Sequence, residues 1–186
     1  MAFLPIPSTD DLSEEARSAR AQLLESRGRI SNVRAALLGH VPSFRAYLEW
    51  YTLKDELVPV VGERGVTALA YAISDEYGCE PCAVFFRQVL EEAGEDPDAP
   101  SGHRNQLLAR FGRELARNPH DVPDEIYESL AEQFPGEQRV ALVAFAGLTV
   151  AVSVVNTVGR VPADDVHALR GGEPEIEMDS LEKGAE

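Results

Sequence analysis

Cysteine is scarce in this chain: two among 186 residues, and they stand together as Cys79-Glu80-Pro81-Cys82. With no other thiol to exchange with, Cys79 and Cys82 can form only one intramolecular disulfide. Basic residues are also few, with 17 Lys and Arg against 32 Asp and Glu and a formal net charge of −15. Such a surface repels phosphate backbones and anionic headgroups, so neither nucleic acid nor a membrane is an expected partner. The N-terminus, MAFLPIPSTDDLSEEA, has neither a basic segment nor a long apolar one. A cytoplasmic location is therefore expected, where a Cys-x-x-Cys is more often catalytic than a structural staple. The four histidines, His40, His103, His120 and His167, are scattered, which leaves a zinc site built on the cysteine pair two ligands short. Gly62-Glu63-Arg64-Gly65 is not followed by Gly-Lys-Ser/Thr and makes no phosphate loop. No cofactor is expected.

What is present is ordinary globular material, 44% apolar and 26% charged. Its periodicity is helical. Ser13 caps a segment with Glu14 and Glu15 in its first turn, ending near Gly28. A short helix is expected around Asn32 to Leu38. After the break at His40-Val41-Pro42, a helix carries Phe44, Tyr47, Leu48 and Tyr51 at three- and four-residue spacing. Gly65 to Ile73 reads as a buried helix, Pro81 to Ala93 as the cysteine helix, and Glu95 to Gly102 as a loop. Gln106 to Arg117 is amphipathic, and Pro123-Asp124 opens a helix that Pro135-Gly136 ends. Val140 to Val155 is sixteen residues without a charge. That falls short of the ~20 needed to span a bilayer, and its small residues suit close packing in a buried helix. The alternation of Val150, Val152 and Val154 is also a strand pattern, but length favours the helix. The expected organisation is an extended arm over 1–12, an all-α domain over 13–162, and an acidic, mobile tail over 163–186.

The Cys-x-x-Cys carries the chemistry. Residues three apart share one face of a helix, and Pro81 suits a first turn where its missing N–H costs nothing. Unpaired N–H groups at that end stabilise a thiolate and lower its pKa. A redox-active pair is the expected reading, with half a metal site or two inert buried thiols as alternatives. His40, at a helix junction, reads as a partner for a backbone carbonyl rather than a catalyst.

The run RISNVRAALLGHVPSFRAYLEWY, the apolar helix ending in YGCEPC, and VPDEIYESLAEQFPGEQRVALVAFAGLTVAVSVVNTVGRVP together resemble the carboxymuconolactone decarboxylase and alkylhydroperoxidase D-like family. The resemblance spans roughly Arg29 to Pro162. It implies an all-helical fold, homo-oligomers joined through helix faces, and peroxide or small-disulfide reduction by a thiol–disulfide cycle recharged by a dithiol donor. Active members carry a glutamate twelve residues before the first cysteine and a histidine four after the second. Here those positions are Thr67 and Phe86. Of the family's site, only Cys79 and Cys82 carry over. Glu76, three residues before Cys79, is the best substitute base, set against a plain reading as a solvated helix end. Tyr77 is a donor rather than a base. A non-catalytic scaffold or redox sensor is the alternative function. Lactone decarboxylation does not need the cysteine pair.

Overall fold

The computed structural model describes residues 2–164, which form seven helices and no strand. They are α1 Glu14–Arg27, α2 Asn32–Leu37, α3 Val41–Tyr77, α4 Glu80–Glu92, α5 His103–Arg117, α6 Asp124–Gln133 and α7 Gly136–Gly159. Ser13 caps α1 through its side chain, accepting from the Ala16 N–H. The expected strand alternative for Val150–Val154 is not realised, because these residues continue α7.

The expected Phe44–Tyr51 and Gly65–Ile73 helices are one long element, α3, bent in its middle. Pro59 removes a backbone donor there, and Gly62 adopts φ 78°, a conformation that glycine alone enters freely. Beyond the bend, every residue from Gly65 to Ser74 is buried. That half of α3 is the axis of the molecule, with α4, α5 and α7 packed around it. α5 approaches closely because Gly112 has no side chain. A Cβ there would lie 3.0 Å from the Leu69 carbonyl oxygen.

The main core joins Leu57, Leu69 and Ile73 of α3 to Leu108 and Phe111 of α5, Ile126 and Leu130 of α6, and Leu142 and Phe145 of α7. A second core holds α1, α2 and the start of α3 together through Leu23, Val33, Leu37 and Phe44. The N-terminal arm is pinned to the end of α7, where the N–H groups of Phe3 and Leu4 donate to the Gly159 carbonyl at 2.9 Å. The tail beyond residue 164 lies outside the described residues.

α7 is buried on one face only. Leu142, Phe145, Ala146, Thr149, Ser153 and Asn156 point inward, while Val140, Val143 and Val158 are more than half exposed. Among the described residues it is the one helix long and apolar enough to cross a membrane. Its inner face nonetheless packs as a core helix, with the Thr149 hydroxyl accepting from Trp50 Nε1 at 2.9 Å.

Candidate functional site

The cysteine pair is delivered by a helix stop. Gly78 ends α3 in the left-handed region at φ 78°, with its own N–H donating to Asp75 and the Cys79 N–H to the Ser74 carbonyl at 2.9 Å. This six-to-one closure is the Schellman pattern, and it turns the chain directly into α4. Cys79 thereby becomes the N-cap of α4, with Pro81 in the first turn. Cys79 and Cys82 form a disulfide with Cα atoms 5.4 Å apart.

The two sulfurs have different surroundings. Cys79 is fully buried, whereas Cys82 lines a cavity of about 270 Å3. Asn156 of α7, itself buried, donates from Nδ2 to Cys82 Sγ at 3.1 Å. Trp50, Phe85, Phe86 and Val152 give the cavity an apolar wall. Thr67 and Ser74 add hydroxyls from α3. The Thr67 hydroxyl donates to the Glu63 carbonyl at 2.7 Å, while the buried Ser74 Oγ has no partner among the described residues.

Both positions where the family carries its proton relay, Thr67 and Phe86, face this cavity with Cys82. Neither side chain is an acid or base near neutral pH. Phe86 instead stacks on Trp50, with ring centroids 6.1 Å apart. Glu76 is not among the lining residues. It is held at the end of α3 by Arg117 in a forked pair, 3.0 Å from Nε to Oε1 and 3.2 Å from Nη2 to Oε2. His40 is N-cap of α3 and bonds Ser43 Oγ at 2.7 Å, away from the cavity.

Charged groups that sequence reasoning passed over line the same space. Arg27, Arg29, Arg34 and Lys54 contribute cations, and Glu63 and Asp164 contribute carboxylates. Arg27 is neutralised by Asp55 and Lys54 by Glu63, the latter at 2.8 Å. Burial raises the Asp164 pKa above its ordinary value, against the opposing pull of the Asn32 N–H that it accepts. Arg34 is 3% exposed, and burial, which again disfavours the charged form, lowers its pKa against the opposing effect of Tyr51. Asn156 sits inside the Val-Asn-x-x-Gly stretch that carried the family resemblance, so its position was visible although its role was not. Arg34 gave no sequence signal, because α2 is too short for a periodicity that would mark it as inward-facing.

A second polar cluster lies behind α4. Glu95 accepts from the Ser101 N–H at 2.9 Å and hydroxyl at 2.7 Å and pairs with Arg64. These bonds hold its carboxyl below the ordinary value. Tyr71 is pushed up to about 12, mainly by burial and then by Asp75, and its hydroxyl meets Asp98 and Arg87. This cluster pins the 95–102 loop to α3 and takes no part in the cysteine cavity.

Two solved structures share the fold. One is described as an uncharacterized peroxidase-related protein from Silicibacter sp. TM1040. It matches at a TM-score of 0.68 and 18% identity, covering 88% of this chain and 92% of that one. The other is described as an alkylhydroperoxidase AhpD core, an uncharacterized peroxidase-related protein from Ralstonia eutropha JMP134. Its TM-score is 0.66 at 18% identity, covering 88% and 93%. No family model matches the sequence, and no curated protein does. At this identity the likeness establishes the fold, which is the all-α alkylhydroperoxidase D-like fold that the sequence resemblance implies.

Proposed function

We propose that the chain is a thiol-dependent oxidoreductase that reduces a peroxide or a small disulfide through Cys79 and Cys82. The observation that carries this reading is the asymmetry of the pair. Cys82 opens onto a cavity and receives an N–H from Asn156, while Cys79 is sealed behind it. An N–H donor favours the charged form of a thiol, so Asn156 supports a Cys82 thiolate.

In the reduced enzyme, the Cys82 thiolate attacks one oxygen of the hydroperoxide. An S–O bond forms, the O–O bond breaks, and the departing alkoxide takes up a proton to leave as an alcohol. Cys79 then attacks the Cys82 sulfenic acid, forming the S–S bond and releasing water. Two electrons have passed from the dithiol to the peroxide, and an external dithiol returns them by exchange. With a disulfide substrate, Cys82 first forms a mixed disulfide and expels a thiolate, and Cys79 resolves it. The relay positions supply no acid or base. Proton transfer falls to water, to the carboxyl groups that share the cavity, or to Glu76 acting from outside it.

The loss of the relay specifically favours a second reading, in which the same pair serves a non-catalytic scaffold or redox sensor that oxidises once and is reset slowly. Steady-state peroxide consumption with a dithiol reductant, beside Cys82→Ser, separates the two. Sustained turnover lost in the variant supports the enzyme. Stoichiometric oxidation without turnover supports the sensor.

A further inference from the structure

We infer that the cavity in front of Cys82 binds a substrate carrying a carboxylate, and that Arg34 is its anchor. This rests on the oxidoreductase reading for the identity of the reacting group, but the anion site stands on its own observations. Arg34 is buried, yet its Nε and Nη1 have no hydrogen-bond partner among the described residues, and its side chain lines the cavity that contains Cys82. Those two nitrogens carry three N–H donors on a guanidinium that stays charged at any physiological pH. Its compensation comes from the tyrosines beside it: Tyr51, whose ring centroid lies 5.2 Å from the guanidinium carbon and whose side chain also hydrogen-bonds it, and Tyr47. Together they are a weak substitute for a counter-ion.

The other charges around the cavity do not serve Arg34. Arg27 is taken by Asp55 and also lies over the Tyr51 ring, 4.8 Å from its centroid, Lys54 is taken by Glu63, and Asp164 accepts from Asn32. A buried guanidinium with two of its three nitrogens unsatisfied and no carboxylate beside it is costly, and is expected where a ligand supplies the missing anion. In a chain of net charge −15, a cationic pocket wall is also the local exception that draws an anion in. The remaining wall defines the rest of the ligand. Trp50, Phe85 and Phe86 line the same cavity and offer apolar contact, so the fitting substrate is a small, partly apolar disulfide or hydroperoxide that carries a carboxylate.

The test uses three disulfides of similar size: the dianionic 3,3′-dithiodipropionate, the neutral bis(2-hydroxyethyl) disulfide and the dicationic cystamine. Oxidation of pre-reduced protein by each is followed by stopped-flow tryptophan fluorescence and divided by the rate for free dithiothreitol. The wild type should favour the anion over the neutral disulfide by about tenfold to hundredfold, the range that charge-assisted hydrogen bonds supply. In Arg34→Met that ratio should fall to the value for free dithiothreitol. An unchanged ratio in a folded Arg34→Met, or no preference in the wild type, overturns the proposal. Benzoate binding to wild type, read as a rise in melting temperature, checks the anchor without any redox chemistry and serves if the variant does not fold. Inorganic phosphate at equal concentration is the comparison, and protection by phosphate but not benzoate also overturns it. If benzoate binds and no disulfide or peroxide reacts, the oxidoreductase reading fails and the anion site stands.

Discussion

Asn156 Nδ2 lies 3.1 Å from Cys82 Sγ, a contact that ties the last helix to the first turn of the cysteine helix across 74 positions. Both atoms are buried, so water does not compete freely for either. Replacing Asn156 with Ala removes the one side-chain donor directed at that sulfur among the described residues. Hydrogen bonds to charged groups are worth about 1.5–3 kcal/mol, which corresponds to roughly one to two pKa units. The Cys82 thiol pKa should rise by that amount, and oxidation at neutral pH should slow accordingly. Thiolate ultraviolet absorbance against pH measures the first and stopped-flow the second. An unmoved pKa would remove Asn156 from the mechanism.

The relay positions allow a gain-of-function experiment. Thr67 and Phe86 face the cavity, and positioned acid–base groups contribute on the order of 10² to 10⁴-fold. Thr67→Glu with Phe86→His should therefore speed peroxide reduction by at least about tenfold. The double variant should also be less stable. It loses the Phe86–Trp50 ring contact and places a carboxylate one turn from Glu63, a like-charge pair. Peroxide consumption and thermal melts are read together. If the wild type is already fast and Glu76→Gln abolishes turnover, Glu76 has replaced the relay.

The exposed valines of α7 carry an expectation about assembly. Val140 is 70% exposed, Val143 54% and Val158 62%, a row of apolar side chains on one helix face. A homo-oligomer joined through this face is expected, with light scattering giving a multiple of 20.3 kDa. Val143→Asp with Val158→Asp should reduce that mass to the monomer. A constant 20.3 kDa across a wide concentration range would exclude assembly.

Glu95 sets an acid limit on stability. Its carboxyl is held below the ordinary 4.5, chiefly by the Ser101 backbone and hydroxyl bonds. A depressed folded pKa stabilises the fold fully above 4.5, and this stabilisation is lost as pH falls through the lower folded value. Glu95→Gln should lower the melting temperature at neutral pH, and the two proteins should converge on acidification. A gap that persists unchanged into acid would assign the loss to packing instead.

Much of the fold was legible because helix stops are written in single residues. Gly28, Gly78, Gly94 and the Pro135-Gly136 pair each mark an observed end or junction. The continuity of α3 through Pro59 was not legible, since a proline in sequence signals an interruption, whereas here the helix bends at Gly62 and resumes. The outward face of α7 was hidden by composition. Valine reads the same inside a core and on a surface awaiting a neighbour. In the site, the cysteine pair was visible as spacing, and Thr67 and Phe86 were singled out through the family resemblance. Arg34 and Glu63 were not, because they reach the cavity only through the packing of α2 and α3 against α7. Glu76 lay close to Cys79 in sequence, but its place on the helix directs it to Arg117.

The central claim is that Cys82 is the sulfur that meets substrate and Cys79 the one that resolves it. Reduced Cys79→Ser and Cys82→Ser proteins are treated with one equivalent of hydrogen peroxide and a sulfenic-acid trapping dione, then read by intact mass and peptide mapping. The account predicts dione capture on Cys82 in Cys79→Ser, little reaction in Cys82→Ser, and loss of two hydrogens within one chain of the wild type. Capture on Cys79 alone, or wild-type thiols that stay unreactive, would contradict it.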